Sequence, residues 1–164
     1  MIDTRGFRQT VGQFATGVTV IATEIEGTVH ALTANSFTSL SLDPPLVLFC
    51  VGKVTRTGQL IHVGARFCVS ILHEGQRDLS TYFGGSWKLD EPPPPFAFVN
   101  WHESPRLDGS AAALSCLVEA IYEGGDHWIV VGRVAAFQRR EDGVAPLVFH
   151  GGRYVGLEER TPQP

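Results

Sequence analysis

Residues 33–41 read Thr33-Ala34-Asn35-Ser36-Phe37-Thr38-Ser39-Leu40-Ser41, and Leu42-Asp43-Pro44-Pro45 and Leu46-Val47-Leu48-Phe49-Cys50-Val51 follow directly. The reading predicts extended chain over 35–42, a stop at the two prolines, and then a continuous apolar run that is a strand buried on both faces. Strand follows strand here with no helix between them. The same holds on either side. Val18–Thr23 is rich in β-branched residues and reads as a strand, and Glu26-Gly27 turns it back into Val29–Leu32. Phe67–Leu72 is a further strand. Two long strand patterns, Ala113–Tyr122 and His127–Phe137, are joined by Glu123-Gly124-Gly125-Asp126, and Leu147–Phe149 and Tyr154–Leu157 close the chain. The expectation is seven or eight strands without crossover helices. That argues against a parallel βαβ architecture and for an antiparallel sheet closed into a barrel.

Helices are expected only at the periphery. Asp3 or Thr4 can cap a first helix whose apolar stripe is Phe7, Val11, Phe14 and Ala15, ending at Gly17. Shorter helices are expected over 57–63 and 75–83. The segment 84–105 contains four consecutive prolines, Pro92 to Pro95, and reads as a long excursion from the main body, too short to be a domain. The tail 158–164 is expected to fray. The whole chain, 1–164, is read as one domain.

Composition narrows the function. Of 164 residues, 43% are apolar and 18% charged, which is a globular balance. The formal net charge is −4 with no Lys/Arg cluster, so nucleic-acid binding is not expected. No apolar run approaches the ~20 residues that would cross a bilayer. The N-terminus carries Asp3, Arg5 and Arg8 rather than an apolar signal, so a cytoplasmic protein is expected. Cys50, Cys68 and Cys116 are far apart inside apolar stretches and read as reduced, buried thiols. The six histidines show no metal-binding spacing, so no metal is expected. There is no G-x-G-x-x-G, no P-loop and no G-x-S-x-G.

The hydroxyl-rich stretch is the strongest chemical signal. Five of the nine residues from Thr33 to Ser41 carry aliphatic hydroxyls, and Asn35 adds an amide. On a strand, Asn35, Ser39 and Ser41 would share a face with Phe37, while Ser36 and Thr38 would lie opposite with Leu40. Polar groups on both faces of a strand entering an apolar core need partners. A ligand with many donors and acceptors supplies them, and a flavin with its ribityl phosphate is such a ligand. The alternative is an edge strand whose hydroxyls are simply solvated. Lys53, Thr55, Arg56 and Thr57 follow the strand 46–51 and offer a phosphate site, or else an ordinary solvated loop. His127, after Gly124-Gly125-Asp126, would stand at a strand mouth. Tyr154 follows Gly151-Gly152-Arg153, and Phe83, Trp87 and Tyr154 could line a ring pocket or fill the core.

Together these stretches resemble the short-chain flavin reductase family, the reductase components of two-component flavin monooxygenases. The resemblance runs from about Phe7 to Leu157. It is carried by Phe14–Val20, by Leu32–Val47, by Gly125-Asp126-His127 with its strand, and by Pro146–Phe149 with Gly152-Arg153-Tyr154. It implies a mainly β fold, an antiparallel Greek-key split β-barrel of the FMN-binding type with peripheral helices, and a homodimer. It implies FMN or FAD bound by Thr33, Ala34, Asn35, Ser36, Ser39 and Ser41, by Cys50, Val51 and Lys53, by Arg56 and Thr57, and by Phe83. It places His127, as the catalytic candidate, and Tyr154 near the nicotinamide of NADH or NADPH. It implies that reduced flavin passes to a separate flavin-dependent monooxygenase. The rival readings are a pyridoxamine-phosphate oxidase-like or deazaflavin-dependent oxidoreductase, a non-catalytic flavin carrier or sensor, and a barrel with no ligand. The Pro92–Pro95 run is not part of the family pattern.

Overall fold

The computed structural model describes residues 2–157. Helix α1 (Thr4–Val11) is capped by Asp3, whose carboxylate accepts from the backbone N–H groups of Arg5 and Gly6, each at 3.0 Å. This satisfies two of the donors that every helix start leaves free. The helix ends at Gly12 rather than Gly17. Thr16 and Gly17 are drawn into a short strand, β1, against Val148 and Phe149, so the chain must leave the helix early. The apolar stripe of α1 does not reach the core, because Phe7, Val11 and Phe14 are exposed.

β2 (Thr19–Ile25) and β3 (Thr28–Ala34) form a hairpin. Its turn residues Glu26 and Gly27 have φ of 52° and 74°, as a type I′ turn requires. There follow β4 (Thr38–Leu42), β5 (Pro45–Gly52), helix α2 (Arg56–Leu60), β6 (Arg66–Ile71), and a 3₁₀ turn at Glu74–Gln76 running into helix α3 (Arg77–Phe83). β7 (Phe98–Trp101) and β8 (Ser104–Leu107) make a hairpin. The long strands β9 (Ala112–Gly124) and β10 (His127–Arg139) and the short β11 (Val148–His150) and β12 (Arg153–Val155) complete the chain. The main sheet is antiparallel with the order β3-β2-β6-β9-β10-β5-β4. Its first and last strands are consecutive in the chain, joined by the corner 35–37, so the sheet curls back on itself. This is a split barrel. β1, β11 and β12 form a second small sheet beside it.

Several sequence expectations need correcting. Residues 35–42 are not one strand. β3 ends at Ala34, the chain bends through 35–37, and β4 begins at Thr38 with a register shift between Ser39 and Ser41. The simple alternation of faces is therefore lost. β5 is not buried on both faces, because Val47, Phe49 and Val51 enter the core while the residues between them are half-buried. The excursion 84–105 is not loose. Phe98 packs on a core cluster that includes Leu107, which is fully buried, and the Leu107 N–H donates to Ser70 Oγ at 3.1 Å. The β7–β8 hairpin and the short β1 also raise the strand number above the expected seven or eight.

The main core gathers Ile21, Phe49, Phe67, Val69, Val118 and Val130. Phe49 and Phe67 lie 5.2 Å apart between ring centroids. Burial pushes the Cys68 thiol up to about 11 and the Cys116 thiol up to about 12, so both stay protonated and unreactive. No helix among the described residues is long and apolar enough to cross a membrane.

Candidate functional site

Ser36 pins the corner between β3 and β4. Ser36 Oγ accepts from the Cys50 N–H and donates to the Cys50 carbonyl, both at 3.1 Å, which ties the corner to β5. Immediately before the corner, Thr33 Oγ1 donates to the Ser80 carbonyl on α3 at 2.7 Å. Ser80 Oγ in turn bonds the Tyr154 hydroxyl at 2.8 Å. Arg77 stacks over the Tyr154 ring at 5.0 Å, and Phe149 packs against its edge. The corner, α3 and the second small sheet thus meet around a cavity of about 350 Å³ lined by Thr33, Asn35, Ser80, Thr81, Gly84 and Tyr154, among others.

A second cavity of about 700 Å³ lies on the other side of Gly84. One wall is Leu32 and His30 on β3, another is Thr55, Arg56 and Thr57 at the start of α2, and the third is aromatic, formed by Tyr82, Phe83, Phe96 and Phe98. α2 is seated tightly. Thr55 Oγ1 donates to the Gly52 carbonyl at 2.8 Å and accepts from the Gly58 N–H at 3.0 Å. Thr57 is buried at the start of the helix. Arg56 makes no ion pair among the described residues and is exposed at the cavity wall.

Lys53 is differently placed. Its ammonium sits 3.2 Å from Glu123 and 4.4 Å over the Trp128 ring, so its charge is already partnered. His127 pairs with Gly52 across the sheet. Its Nδ1–H donates to the Asp126 carboxylate at 2.7 Å, and that hydrogen bond, with the charge of His127, holds the Asp126 carboxyl below its ordinary range. This bond holds the ring with Nε2 toward Gly52. His127 lies beside Gly52 and Thr55, whereas Tyr154 lines the smaller cavity, so the two nicotinamide candidates do not share a wall.

The remaining sequence candidates divide by position. Ala34 is buried at the end of β3. The Val51 side chain points into the core, leaving only its backbone available to a ligand. Cys50 is half-buried beside Ser36, and Phe83 lines the larger cavity. Ser39 and Ser41 lie on the edge strand β4 and line neither cavity. No cluster of three or more metal-binding side chains exists among the described residues.

The family model for the flavin reductase-like domain matches residues 11–158. The chain belongs to this family. It is 40% identical over 168 residues to the reductase subunit HsaB of a flavin-dependent monooxygenase from Mycobacterium tuberculosis, covering 99% of this chain and 87% of that one. It is 41% identical over 157 residues to the NADH-dependent flavin reductase StyB of Pseudomonas fluorescens, covering 94% and 91%. Its fold superposes with a TM-score of 0.85 on an NADH:FAD oxidoreductase from Streptomyces globisporus, solved in complex with NAD and FAD fragments, at 34% identity and 99% coverage of both chains.

For a flavin reductase-like chain, the residues that the sequence did not single out are telling. Ser80, Thr81, Phe96 and Phe98 reach the cavities from segments 47 or more positions beyond Thr33, and nothing in their local spacing marks them. Thr33→Val tests the corner network, since it keeps the shape and removes the donor to Ser80. A stability loss of about 0.5–1.5 kcal/mol is expected in urea unfolding, with weaker flavin binding by fluorescence titration.

Proposed function

We propose that this protein is an NADH-dependent flavin reductase that delivers reduced flavin to a separate flavin-dependent monooxygenase. The observation that carries the reading is the pair of cavities meeting at Gly84, one lined by hydroxyls and an amide, the other by an unpaired guanidinium and aromatic rings. Their chemistry fits a ligand that has a polar ring edge, a phosphate and an apolar ring. When bound, the flavin supplies a hydride acceptor at N5 for the C4 hydride of a reduced nicotinamide, and the protein supplies orientation and electrostatics.

Each residue then has a defined task. Thr33 and Asn35 offer acceptors and donors to the flavin ring edge. Ser36 acts through its bonds to Cys50, holding the corner so that the neighbouring backbone keeps its place. Arg56 supplies a planar fork for the phosphate and Thr57 a hydroxyl. Lys53, engaged by Glu123, contributes a more distant positive field. Tyr154, locked by Ser80, walls the smaller cavity. His127, with its tautomer fixed by Asp126, orients the nicotinamide and takes no proton from it. His127→Ala is expected to raise the KM for NADH about tenfold while flavin affinity stays unchanged, the cost of losing one good hydrogen bond. Equal loss of both would remove that role.

A further feature supports an assembly. Phe7, Val11 and Phe14 border an apolar groove of about 990 Å³ that also takes in Phe37 and Phe149. An exposed apolar face of this kind fits a contact surface, and a homodimer is the assembly proposed. The three free cysteines suit the reducing cytoplasm. The deciding experiment is anaerobic. Purified protein is mixed with FMN or FAD and then with NADH or NADPH, and the visible flavin absorbance is followed. Rapid bleaching with NADH, far above the rate without protein, is expected. Flavin binding without bleaching by either nicotinamide would leave a carrier instead of an enzyme.

A further inference from the structure

The proline segment ends in an aromatic wall that the fold turns toward Arg56. Trp87 Nε1 donates to the Pro92 carbonyl at 3.2 Å, and Lys88 pairs with Glu91 at 2.6 Å, so the start of the arm is closed on itself. At its other end Phe98 is anchored on the core cluster around Leu79 and Leu107. Between these ties the arm delivers Phe96 to the larger cavity. Phe96 stands 5.0 Å from Phe83 in an edge-to-face contact and 5.5 Å from Tyr82. It remains 40% exposed, an apolar ring that the arm leaves uncovered at the cavity wall. The same cavity is lined by the unpaired Arg56 and by Thr57. A ring and a cation lining a single cavity match a purine joined to a phosphate. Gly84 lines both this cavity and the hydroxyl-lined one, so the two adjoin there.

We infer that the Pro92–Pro95 arm builds an adenosine subsite, with Phe96 as the stacking face, and that it makes this protein selective for FAD over FMN. The inference rests on the flavin reductase reading and adds the flavin that the enzyme takes. FMN can use the hydroxyl cavity and Arg56 but has no purine to place on Phe96, whereas FAD has both.

The test is an equilibrium titration of the full-length protein with FAD and with FMN, followed by flavin fluorescence, for wild type, Phe96→Ala and Phe96→Leu. The KM for NADH is measured in parallel with FMN as the flavin. Wild type should bind FAD at least about tenfold more tightly than FMN. Both variants should lose a factor of roughly 5–150 in FAD affinity, the range for one base–aromatic stack, and a smaller factor in FMN affinity, so that the preference for FAD falls while the KM for NADH holds steady. Leucine keeps the apolar packing of the arm, so its loss of FAD affinity would separate stacking from misfolding. Phe96→Trp should restore selectivity. Equal affinities for FAD and FMN in wild type would overturn the inference. So would a rise in the KM for NADH with FAD binding intact, which would assign the wall to the adenosine of the nicotinamide substrate. In both cases FMN binding and bleaching would survive, leaving the reductase reading in place. If neither flavin binds, that reading falls and the subsite falls with it.

Discussion

Gly58→Ala is expected to cripple flavin binding more than any other single-methyl change. The residue is buried in α2, where a Cβ would overlap the Gly52 carbonyl oxygen and stand 3.0 Å from the Gly52 carbonyl carbon and 3.1 Å from Thr55 Oγ1. Those atoms are backbone and capping hydroxyl, and neither can swing aside. The Gly52 carbonyl is also the acceptor for Thr55 Oγ1, so the cap and the strand end must yield together. Overpacking of this kind costs about 1–3 kcal/mol. The functional loss should be larger than the stability loss, because Arg56 and Thr57 sit on the turn that has to move. Flavin affinity is expected to fall by more than tenfold, with thermal unfolding reporting the smaller effect. A variant that binds flavin as wild type does would show that the start of α2 is not part of the site.

Gly132→Ala should give the largest loss of stability. Gly132 lies on β10 opposite Val47 and Val118, beside a register shift in the β9–β10 ladder. A Cβ there would overlap Phe67 Cζ and come within 2.7 Å of Phe67 Cε1 and 3.3 Å of Cys116 Cβ. Phe67 is fully buried against Phe49, so its ring has nowhere to rotate. A loss of about 3 kcal/mol, the upper end for overpacking, is expected in denaturant unfolding. Phe67→Leu in the same chain makes room for the methyl, and the double variant should be less destabilised than the sum of the two single ones. Strict additivity would mean that Gly132 is needed for the bulge and not for the ring.

The two predictions show where local sequence stops being informative. Gly58 and Gly132 are ordinary glycines until Gly52 and Phe67 are brought against them. The strand at 18–23, the Glu26-Gly27 turn, the Asp3 cap and the long pair β9–β10 follow from β-branching, turn chemistry and period, all of which act over a few residues. The hydroxyl-rich run Thr33–Ser41 also declared itself, because so many polar groups beside an apolar strand demand partners. The bend at 35–37 did not. It exists because Ser36 bonds the backbone of Cys50, which closes the end of the sheet, and a period-two reading has no means to see a partner that far along the chain.

The same reason governs the site. Lys53 and Arg56 look alike in sequence as two cations on a polar loop. Folding brings Glu123, on β9, to Lys53 and leaves Arg56 facing a cavity, so only one of them keeps a free charge among the described residues. Ser80 becomes part of the site because α3 docks on β3 and because Tyr154 arrives from the last strand. Ser39 and Ser41, equal to Ser36 on paper, go to an edge strand. By itself the sequence determined the strand-rich architecture, the family and the stretch that bears hydroxyls, since each depends on residue type at short range. Only the tertiary structure decided which of those hydroxyls and charges stand at a cavity, because that depends on pairing between strands remote in the chain.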